Sequence, residues 1–194
     1  MKQRFRVKNI FICSTNIGTH HVVYTDIENT DNYDHIYQSD LCGWVGQLGY
    51  NKDSIYGANV FTAEGNETLK AASFYATGKD SQYELYVVRQ FEDETSLEKM
   101  IPVASGKLGN AGYYTVDFNQ GIEVDAGERY AVVLYIITPG SVHPMAIEYA
   151  ADEATENVDL DDGESYISAN GSKLVSVDSV EKSNLCIKAV SDNR

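Results

Sequence analysis

Hydrophobic and polar residues alternate along much of the chain, with the two-residue period of a half-buried β-strand. The segment 112–118 (GYYTVDF) places Tyr114, Val116 and Phe118 on one face and the residues between them on the other. The segment 129–140 (RYAVVLYIITPG) is apolar almost throughout, as in a central strand covered on both faces. Turn residues separate the predicted strands, which are 57–63, 68–77, 82–91, 112–118, 129–140, 145–149, 165–168 and 184–190.

This succession of about eight or nine short strands predicts an all-β fold, of the β-sandwich or jelly-roll kind. Only the segment 93–100 (DETSLEKM) has a helical pattern, and it is short enough to be a polar loop instead. The acidic stretch 148–164 is the longest segment without a strand pattern, so we expect a surface loop there.

The N-terminal part of the chain differs from the rest. It is polar and rich in tyrosine, and its one strand candidate is 20–25 (HHVVYT). We interpret residues 22–56 as an extended lead-in that wraps onto the sandwich, with 43–50 (GWVGQLGY) packed against it. The sandwich itself is predicted to span residues 57–194.

The chain is acidic: its 194 residues include 29 aspartates and glutamates against 15 lysines and arginines, a formal net charge of −14. Nucleic acids and anionic membranes are bound largely through lysine and arginine, so this balance argues against both as partners. An acidic surface suits cations, or neutral partners such as sugars and peptides. The 14 tyrosines favour strands and binding surfaces alike.

Targeting signals are not predicted. The apolar run Ile10–Cys13 near the N-terminus is much shorter than the ~7–15 residues of a signal-peptide core. No run approaches the ~18 apolar residues of a membrane span. From the sequence as it stands, we expect neither an export signal nor a membrane anchor.

The three cysteines, Cys13, Cys42 and Cys186, lie far apart in the sequence and form no C-x-x-C pair, which argues against a zinc site or a redox pair. Cys42 and Cys186 have apolar neighbours and are expected to be buried thiols, whereas Cys13 could be exposed. No disulfide bond can be assigned from the spacing of the three cysteines.

Motifs of the common hydrolases are missing from the sequence. The four histidines, His20, His21, His35 and His143, form neither H-x-x-x-H nor H-E-x-x-H, the spacings of zinc hydrolases. No G-x-S-x-G nucleophile elbow occurs. Glycosidase carboxylates leave no spacing signature, so a glycosidase pair stays an open alternative.

A sugar-binding site needs aromatic faces beside carboxylates and amides, because sugar rings have apolar faces and hydroxyl edges. The candidate ligand-binding residues, which stand at predicted loop or strand ends, are Asp40, Trp44, Tyr50, Asn51, Tyr56 and Tyr166. The alternative is that these residues form only the tyrosine-rich rim of a sandwich.

The segment 156–168 (ENVDLDDGESYIS) has oxygen-bearing side chains at alternate positions, as calcium-binding loops do. A helix-loop-helix calcium loop requires a glycine directly after its third ligand and a glutamate six residues beyond that glycine. Here Gly163 comes one position late, and Ala169 stands where the glutamate should be. A looser calcium site remains an alternative to a solvated acidic tip, and its candidate ligands are Asp159, Asp161 and Asp162.

Five segments taken together resemble one known family. They are 33–51 (YDHIYQSDLCGWVGQLGYN), 56–78 (YGANVFTAEGNETLKAASFYATG), 114–136 (YTVDFNQGIEVDAGERYAVVLYI), 143–149 (HPMAIEY) and 163–171 (GESYISANG). From Val22 to Val190 the chain is similar to the lectin-like module that follows the papain-type catalytic domain in secreted bacterial cysteine proteases. This resemblance implies a jelly-roll sandwich akin to carbohydrate-binding modules and an extracellular or cell-surface location. Related modules also carry structural calcium, so the resemblance allows for a calcium ion here.

Residues 1–21 resemble the end of a papain-type domain, through the segment 10–18 (IFICSTNIG). Nothing in the chain matches the catalytic cysteine, histidine or asparagine of that domain. The resemblance therefore implies a non-catalytic module that binds cell-wall or host glycans or docks its partner, the papain-type catalytic domain of the parent protein. The alternatives are a structural spacer stabilised by calcium, and a cysteine peptidase activity inferred from full-length relatives.

Overall fold

The computed structural model describes residues 5–14, 20–29, 32–153, 155–161, 164–180 and 182–194. Fifteen strands occur within these residues. In chain order they are β1 (Phe5–Ser14), β2 (His20–Asn29), β3 (His35–Tyr37), β4 (Gly46–Leu48), β5 (Ser54–Thr62), β6 (Glu67–Ala76), β7 (Ser81–Val88), β8 (Ile101–Leu108), β9 (Gly112–Val124), β10 (Arg129–Ile137), β11 (Met145–Glu148), β12 (Glu164–Ser168), β13 (Val175–Ser176), β14 (Asn184–Leu185) and β15 (Ile187–Asn193). Two short 3₁₀ helices are Glu94–Lys99 and Val177–Ser179.

These strands form two six-stranded sheets and one small sheet. The first sheet has the order β2-β1-β9-β6-β15-β3, the second has the order β13-β12-β5-β10-β7-β8, and the small sheet is β14-β11-β4. The described strand pairs are antiparallel, and the first and second sheets pack face to face as a sandwich. The all-β class predicted from the sequence is confirmed, with more strands than the eight or nine expected.

The main core lies between the first and second sheets, and strand alternation fills it. Tyr130, Val132, Leu134 and Ile136 alternate along β10 and are all almost completely buried. Across from them, the first sheet contributes residues such as Phe74 on β6. Each such aliphatic or aromatic side chain contributes about 1.5–3 kcal/mol when it is fully removed from water.

A second, smaller core covers part of the outer face of the second sheet. Ala131 and Val133, which point away from the main core, are buried here beneath Phe91 and Leu97. Leu97 belongs to the 3₁₀ helix Glu94–Lys99, so the ambiguous segment 93–100 is a short helix and not an open loop. The Asp93 carboxylate accepts a hydrogen bond from the Thr95 amide at 2.9 Å and caps this helix.

The first four strands of the chain, β1 to β4, belong to the first sheet and the small sheet. The predicted strand 20–25 lies within β2, which pairs with β1, and β1 in turn pairs with β9 at Ile10–Tyr113. Strand β3 adds to the other edge of the first sheet beside β15, and β4 pairs with β11 in the small sheet. The division of the chain into a protease remnant (1–21), a lead-in (22–56) and the sandwich (57–194) stays a prediction.

A buried carboxylate joins the edge strand β3 to the first sheet. Glu67, which is completely buried on β6, accepts hydrogen bonds from the hydroxyls of Tyr37 on β3, at 2.6 Å, and Ser191 on β15. The Gly65 amide donates a third hydrogen bond at 2.9 Å. Charge-assisted bonds of this kind are stronger than those between neutral groups, so Glu67 holds three segments together as an anion.

We expect Glu67→Gln to lower the free energy of unfolding by about 1–3 kcal/mol at neutral pH. Burial by itself would raise the pKa of this carboxyl, but the hydrogen bonds from Ser191 and Tyr37 outweigh burial, and the pKa lies below its ordinary value. A lowered pKa adds stability above the unfolded-state pKa of about 4.3, and this stability is lost as the pH falls through the folded-state pKa. The difference in free energy of unfolding between parent and variant should therefore become smaller below about pH 4.

Urea unfolding of both proteins at a series of pH values between about 7 and 3 measures this difference. A difference in free energy of unfolding that stays constant over the whole range would contradict the role assigned to the Glu67 anion.

Candidate functional site

Three tyrosines and one glutamate meet on the outer face of the second sheet; we name Tyr56, Glu84, Tyr86 and Tyr135 the tyrosine platform. Leu85 points into the main core, which leaves Glu84 and Tyr86 on the opposite face of β7. In the strand register, Tyr135 of β10 stands opposite Tyr56 of β5 and also opposite Glu84 of β7. The rings of Tyr56 and Tyr135 stack, with centroids 4.2 Å apart and planes at 23°.

A groove of about 390 Å³ opens beside the tyrosine platform, within the size range of small-ligand sites. Its lining residues, which come from β7, β8 and β10, are Gln82, Tyr83, Glu84, Ser105, Gly106, Lys107, Tyr135 and Ile137. The register sets Glu84 opposite Ser105 and Gln82 opposite Lys107. The groove thus combines aromatic rings with amide, carboxylate, hydroxyl and ammonium groups, which can stack on and hydrogen-bond to a sugar ring.

Hydrogen bonding and burial raise the pKa of two phenol groups of the tyrosine platform, those of Tyr86 and Tyr56. The Tyr86 hydroxyl donates to the Glu84 carboxylate, and this bond, followed by burial, raises the pKa of Tyr86 to about 12. Burial is the largest cause of the raised pKa of Tyr56, and the neighbouring Tyr135 and Glu84 add to it. These phenols therefore remain neutral hydrogen-bonding groups at physiological pH.

Of the two charged residues that line the groove, one has an ion-pair partner and the other has none among the described residues. Lys107 forms an ion pair with Asp80 at 3.3 Å, with both side chains more than half exposed. The Glu84 carboxylate forms no ion pair with a lysine or arginine in the described part of the chain, and it is exposed. A negative charge at Glu84 therefore dominates the groove next to the tyrosine rings.

A glycine turn closes one side of the tyrosine platform. Gly171 has a φ of +76°, and a Cβ at this position would come within 3.0–3.2 Å of the Tyr56 ring. Both constraints favour glycine, because another residue would have a strained backbone and would force the Tyr56 ring to shift by a few tenths of an ångström. Tyr166 on β12 faces the same side of the sheet, where it packs against Phe91 with ring centroids 5.7 Å apart.

The structure does not gather the six predicted ligand-binding residues into one cluster. Tyr56 belongs to the tyrosine platform, and Tyr166 lies on the same face in the smaller core. Tyr50 and Asn51 lie in the turn between β4 and β5, where Tyr50 packs on the main core and Asn51 is exposed with a φ of 56°. The remaining two residues, Asp40 and Trp44, lie on the opposite side of the sandwich.

Asp40 and Trp44 contact the outer face of the first sheet. The Asp40 carboxylate is completely buried and accepts a hydrogen bond from the Lys188 ammonium at 2.8 Å. Trp44 packs on Tyr75 with ring centroids 5.8 Å apart, and Tyr75 packs on Tyr113 at 5.0 Å. Asp40 therefore serves a buried ion pair, while Trp44 belongs to an aromatic cluster distant from the tyrosine platform.

Sequence reasoning missed three members of the tyrosine platform, Glu84, Tyr86 and Tyr135. All three lie within segments that were predicted as strands, and the alternation of 82–91 sets Glu84 and Tyr86 on one face. The available signal was the presence of polar and aromatic residues on the face opposite Leu85.

The acidic loop before β12 is described in part. The Asp159 carboxylate accepts a hydrogen bond from the Asp161 amide at 3.0 Å, and Asp161 pairs with Lys182 at 2.7 Å. Asp162 and Gly163 lie outside the described residues. No cluster of three or more histidine, cysteine, aspartate or glutamate side chains suited to a metal ion occurs among the residues described, and calcium binding by this loop stays a prediction.

The two cysteines whose side chains are described differ in exposure. Cys186 is buried, as expected, and burial followed by the nearby Asp40 carboxylate raises its pKa well above the ordinary value. Cys42 is exposed, so its predicted burial is wrong. Its backbone amide donates a hydrogen bond to the Glu148 carboxylate. The pKa of Cys42 is also raised, by partial desolvation and by Glu148, and a raised pKa lowers the fraction of reactive thiolate. The side chain of Cys13 is outside the described part.

A family model described as "Lectin like domain" matches residues 36–191. Among solved structures, the clostridial cysteine protease Cwp84 after propeptide cleavage superposes with a TM-score of 0.77 at 22% identity, covering 92% of this chain and 45% of that one. A structure of the cysteine protease and lectin-like domains of Cwp84, a surface layer associated protein of Clostridium difficile, gives 0.70 at 19% identity, with coverages of 89% and 39%. The chain thus spans less than half the length of either structure, and at these identities the likeness is one of fold.

No curated protein matches the sequence significantly. Within the described residues, every helix is too short or too polar to cross a membrane.

Proposed function

The chain belongs to the lectin-like domain family, and on this premise we propose that it is a non-catalytic glycan-binding module of a secreted or cell-surface cysteine protease. The matching family is a lectin-like domain and not a catalytic one, which supports a role in binding. Both similar structures come from a protease, and one contains protease and lectin-like domains together. The proposed partner within the parent protein is accordingly a papain-type catalytic domain.

The observation that carries this proposal is the tyrosine platform with its groove. Tyr135 offers an aromatic ring on the sheet surface, held in place by stacking on Tyr56 at 4.2 Å. Around that ring, Gln82 and Glu84 of β7 and Ser105 of the neighbouring strand β8 supply polar groups. A sugar ring could stack on the tyrosine while its hydroxyl groups bond to the polar residues.

A location outside the cell agrees with this role. One similar structure is described as a surface layer associated protein, and glycans of cell walls and host surfaces are accessible there. The formal net charge of −14 disfavours nucleic acid and suits a neutral or cationic ligand.

We expect Tyr135→Ala to weaken glycan binding by about tenfold or more, because the substitution removes the central ring of the site. A glycan array with cell-wall and host oligosaccharides identifies a ligand, and titration calorimetry then compares the variants. Tyr113→Ala is the matched control, since this half-buried tyrosine lies over the first sheet on the opposite side. Circular dichroism checks that both variants fold.

Equal affinity for Tyr135→Ala and the parent, or equal losses in both tyrosine variants, would contradict this location of the site. A parent protein that binds no oligosaccharide and no purified cell wall would contradict the proposed function itself.

A further inference from the structure

We propose that the tyrosine platform selects glycans whose amino sugars carry a free ammonium group, in preference to the same glycans in N-acetylated form. This inference rests on the proposed function and names the ligand class of the same site. It follows from three properties of the described residues. The Glu84 carboxylate has no ion-pair partner among them, three tyrosine rings lie next to it, and the other charged group in the groove, the Lys107 ammonium, is already paired with Asp80.

The carboxylate stands at the centre of the site. Glu84 lies between Tyr135 on β10 and Ser105 on β8 in the strand register, and its side chain is exposed to an entering ligand. Its described hydrogen-bond partner is the neutral Tyr86 hydroxyl, which does not cancel the charge. A ligand ammonium can therefore form the ion pair that the protein itself does not provide to Glu84 in the described part of the chain.

The tyrosine rings strengthen the preference for a cation. Tyr56 and Tyr135 are stacked, and Tyr86 is hydrogen-bonded to Glu84 on the same face. The face of an aromatic ring is electrostatically negative and attracts ammonium groups, by about 0.5–2 kcal/mol for each favourable contact. Rings and carboxylate thus act in the same direction on a positively charged sugar.

The remaining charge in the groove does not oppose this preference. Lys107 is the other charged residue among the lining residues, and its ammonium already pairs with Asp80 at 3.3 Å. An acidic sugar would have to compete with Asp80 for Lys107 and would be repelled by Glu84. An N-acetylated sugar would keep the stacking on Tyr135 but would lose the ion pair with Glu84.

Calorimetric titration with two tetrasaccharides tests the inference: one made of glucosamine and the other of N-acetylglucosamine, at about pH 6, where free amines are protonated. We expect the parent to bind the glucosamine oligomer at least tenfold more tightly. Glu84→Gln should reduce this preference to less than threefold, because the variant loses the ion pair that only the glucosamine oligomer can form. Glu153→Gln, which removes an exposed carboxylate in the acidic loop, is the control for net charge and should keep the full preference.

The outcomes separate the inference from the proposed function. Equal affinity for both tetrasaccharides would overturn the selectivity and leave glycan binding intact. A lysine tetrapeptide that binds as tightly as the glucosamine oligomer would also overturn it, because the site would then recognise charge without sugar. Failure of the parent to bind either tetrasaccharide or any other glycan would count against the proposed function.

Discussion

Replacing Lys188 by methionine is expected to lower the free energy of unfolding by about 3–5 kcal/mol at neutral pH, because the substitution leaves a charge buried without a partner. The Asp40 side chain is 0% exposed, and the Lys188 ammonium donates to its Oδ2 at 2.8 Å. Lys188 also donates to the Asp40 carbonyl at 3.2 Å. The other carboxylate oxygen, Oδ1, has no N–H or O–H partner in the described part of the chain, so Lys188 provides most of its compensation.

The cost of Lys188→Met should depend on pH. Burial raises the pKa of Asp40, the Lys188 ammonium limits that rise, and the neighbouring Glu148 adds to it. A carboxyl with a raised folded-state pKa contributes stability below its unfolded-state pKa of about 3.9, and the contribution is lost as the pH rises through the folded-state pKa. Removing Lys188 raises that pKa further, so the destabilisation should be smaller near about pH 4 than at neutral pH.

Two further variants identify the cause. Asp40→Leu combined with Lys188→Met should recover most of the loss, because no buried charge then remains. Lys70→Met is the matched control: Lys70 pairs with Asp192 at 3.8 Å and is 46% exposed, so its loss should cost less than about 1 kcal/mol. Urea unfolding measures all of these variants. Equal losses from Lys70→Met and Lys188→Met, or no recovery in the double variant, would contradict the explanation.

Long strands could be predicted because their alternation is local information. The predicted segments 112–118 and 129–140 fall in β9 and β10, although β9 continues beyond the prediction to Val124. Strands of two or three residues, such as β3 and β13, are too short to show a period and depend on their partner strands. Strand β8 was missed because Pro102 and Gly106 interrupt it, and both are tolerated since β8 is at the edge of its sheet.

The candidate site could be predicted only in part, because it depends on pairing between distant segments. Tyr56 was recognised as a candidate, but nothing local indicates that it stands opposite Tyr135. For the same reason Asp40 was assigned to ligand binding: its ion-pair partner, Lys188, lies near the other end of the chain. Apolar neighbours suggested that Cys42 is buried, yet the turn exposes both Cys42 and Leu41, the latter to 71%.

Asn59→Leu is also expected to lower the free energy of unfolding by about 3–5 kcal/mol, since the asparagine satisfies several buried groups at once. Asn59 is 1% exposed on β5 and points towards the main core. Its amide nitrogen donates to the carbonyls of Leu185 and Ile187, at 2.9 and 2.8 Å. Its carbonyl oxygen accepts a hydrogen bond from the Ser165 hydroxyl at 2.7 Å, so one side chain connects β5 with β12, β14 and β15.

Leucine has as many side-chain heavy atoms as asparagine but occupies more volume and cannot donate or accept a hydrogen bond. The carbonyls of Leu185 and Ile187 would lose their side-chain donor, and each buried group left unpaired costs about 1–3 kcal/mol. The Ser165 hydroxyl would lose its acceptor, although it would still accept from the Leu185 amide at 3.1 Å. Added apolar contacts offset only part of this loss, because a close-packed core leaves little room for a new branched side chain.

Asn119→Leu is the matched control for the Asn59 variant, because Asn119 is an exposed asparagine on β9 and its replacement should change stability by less than about 0.5 kcal/mol. Ser165→Ala should cost about 1–2 kcal/mol. Because Ser165 and Asn59 share a hydrogen bond, the double variant should lose less than the two single losses combined. Urea unfolding of the four variants decides the matter: a cost below about 1 kcal/mol for Asn59→Leu would mean that the carbonyls of Leu185 and Ile187 do not depend on this side chain.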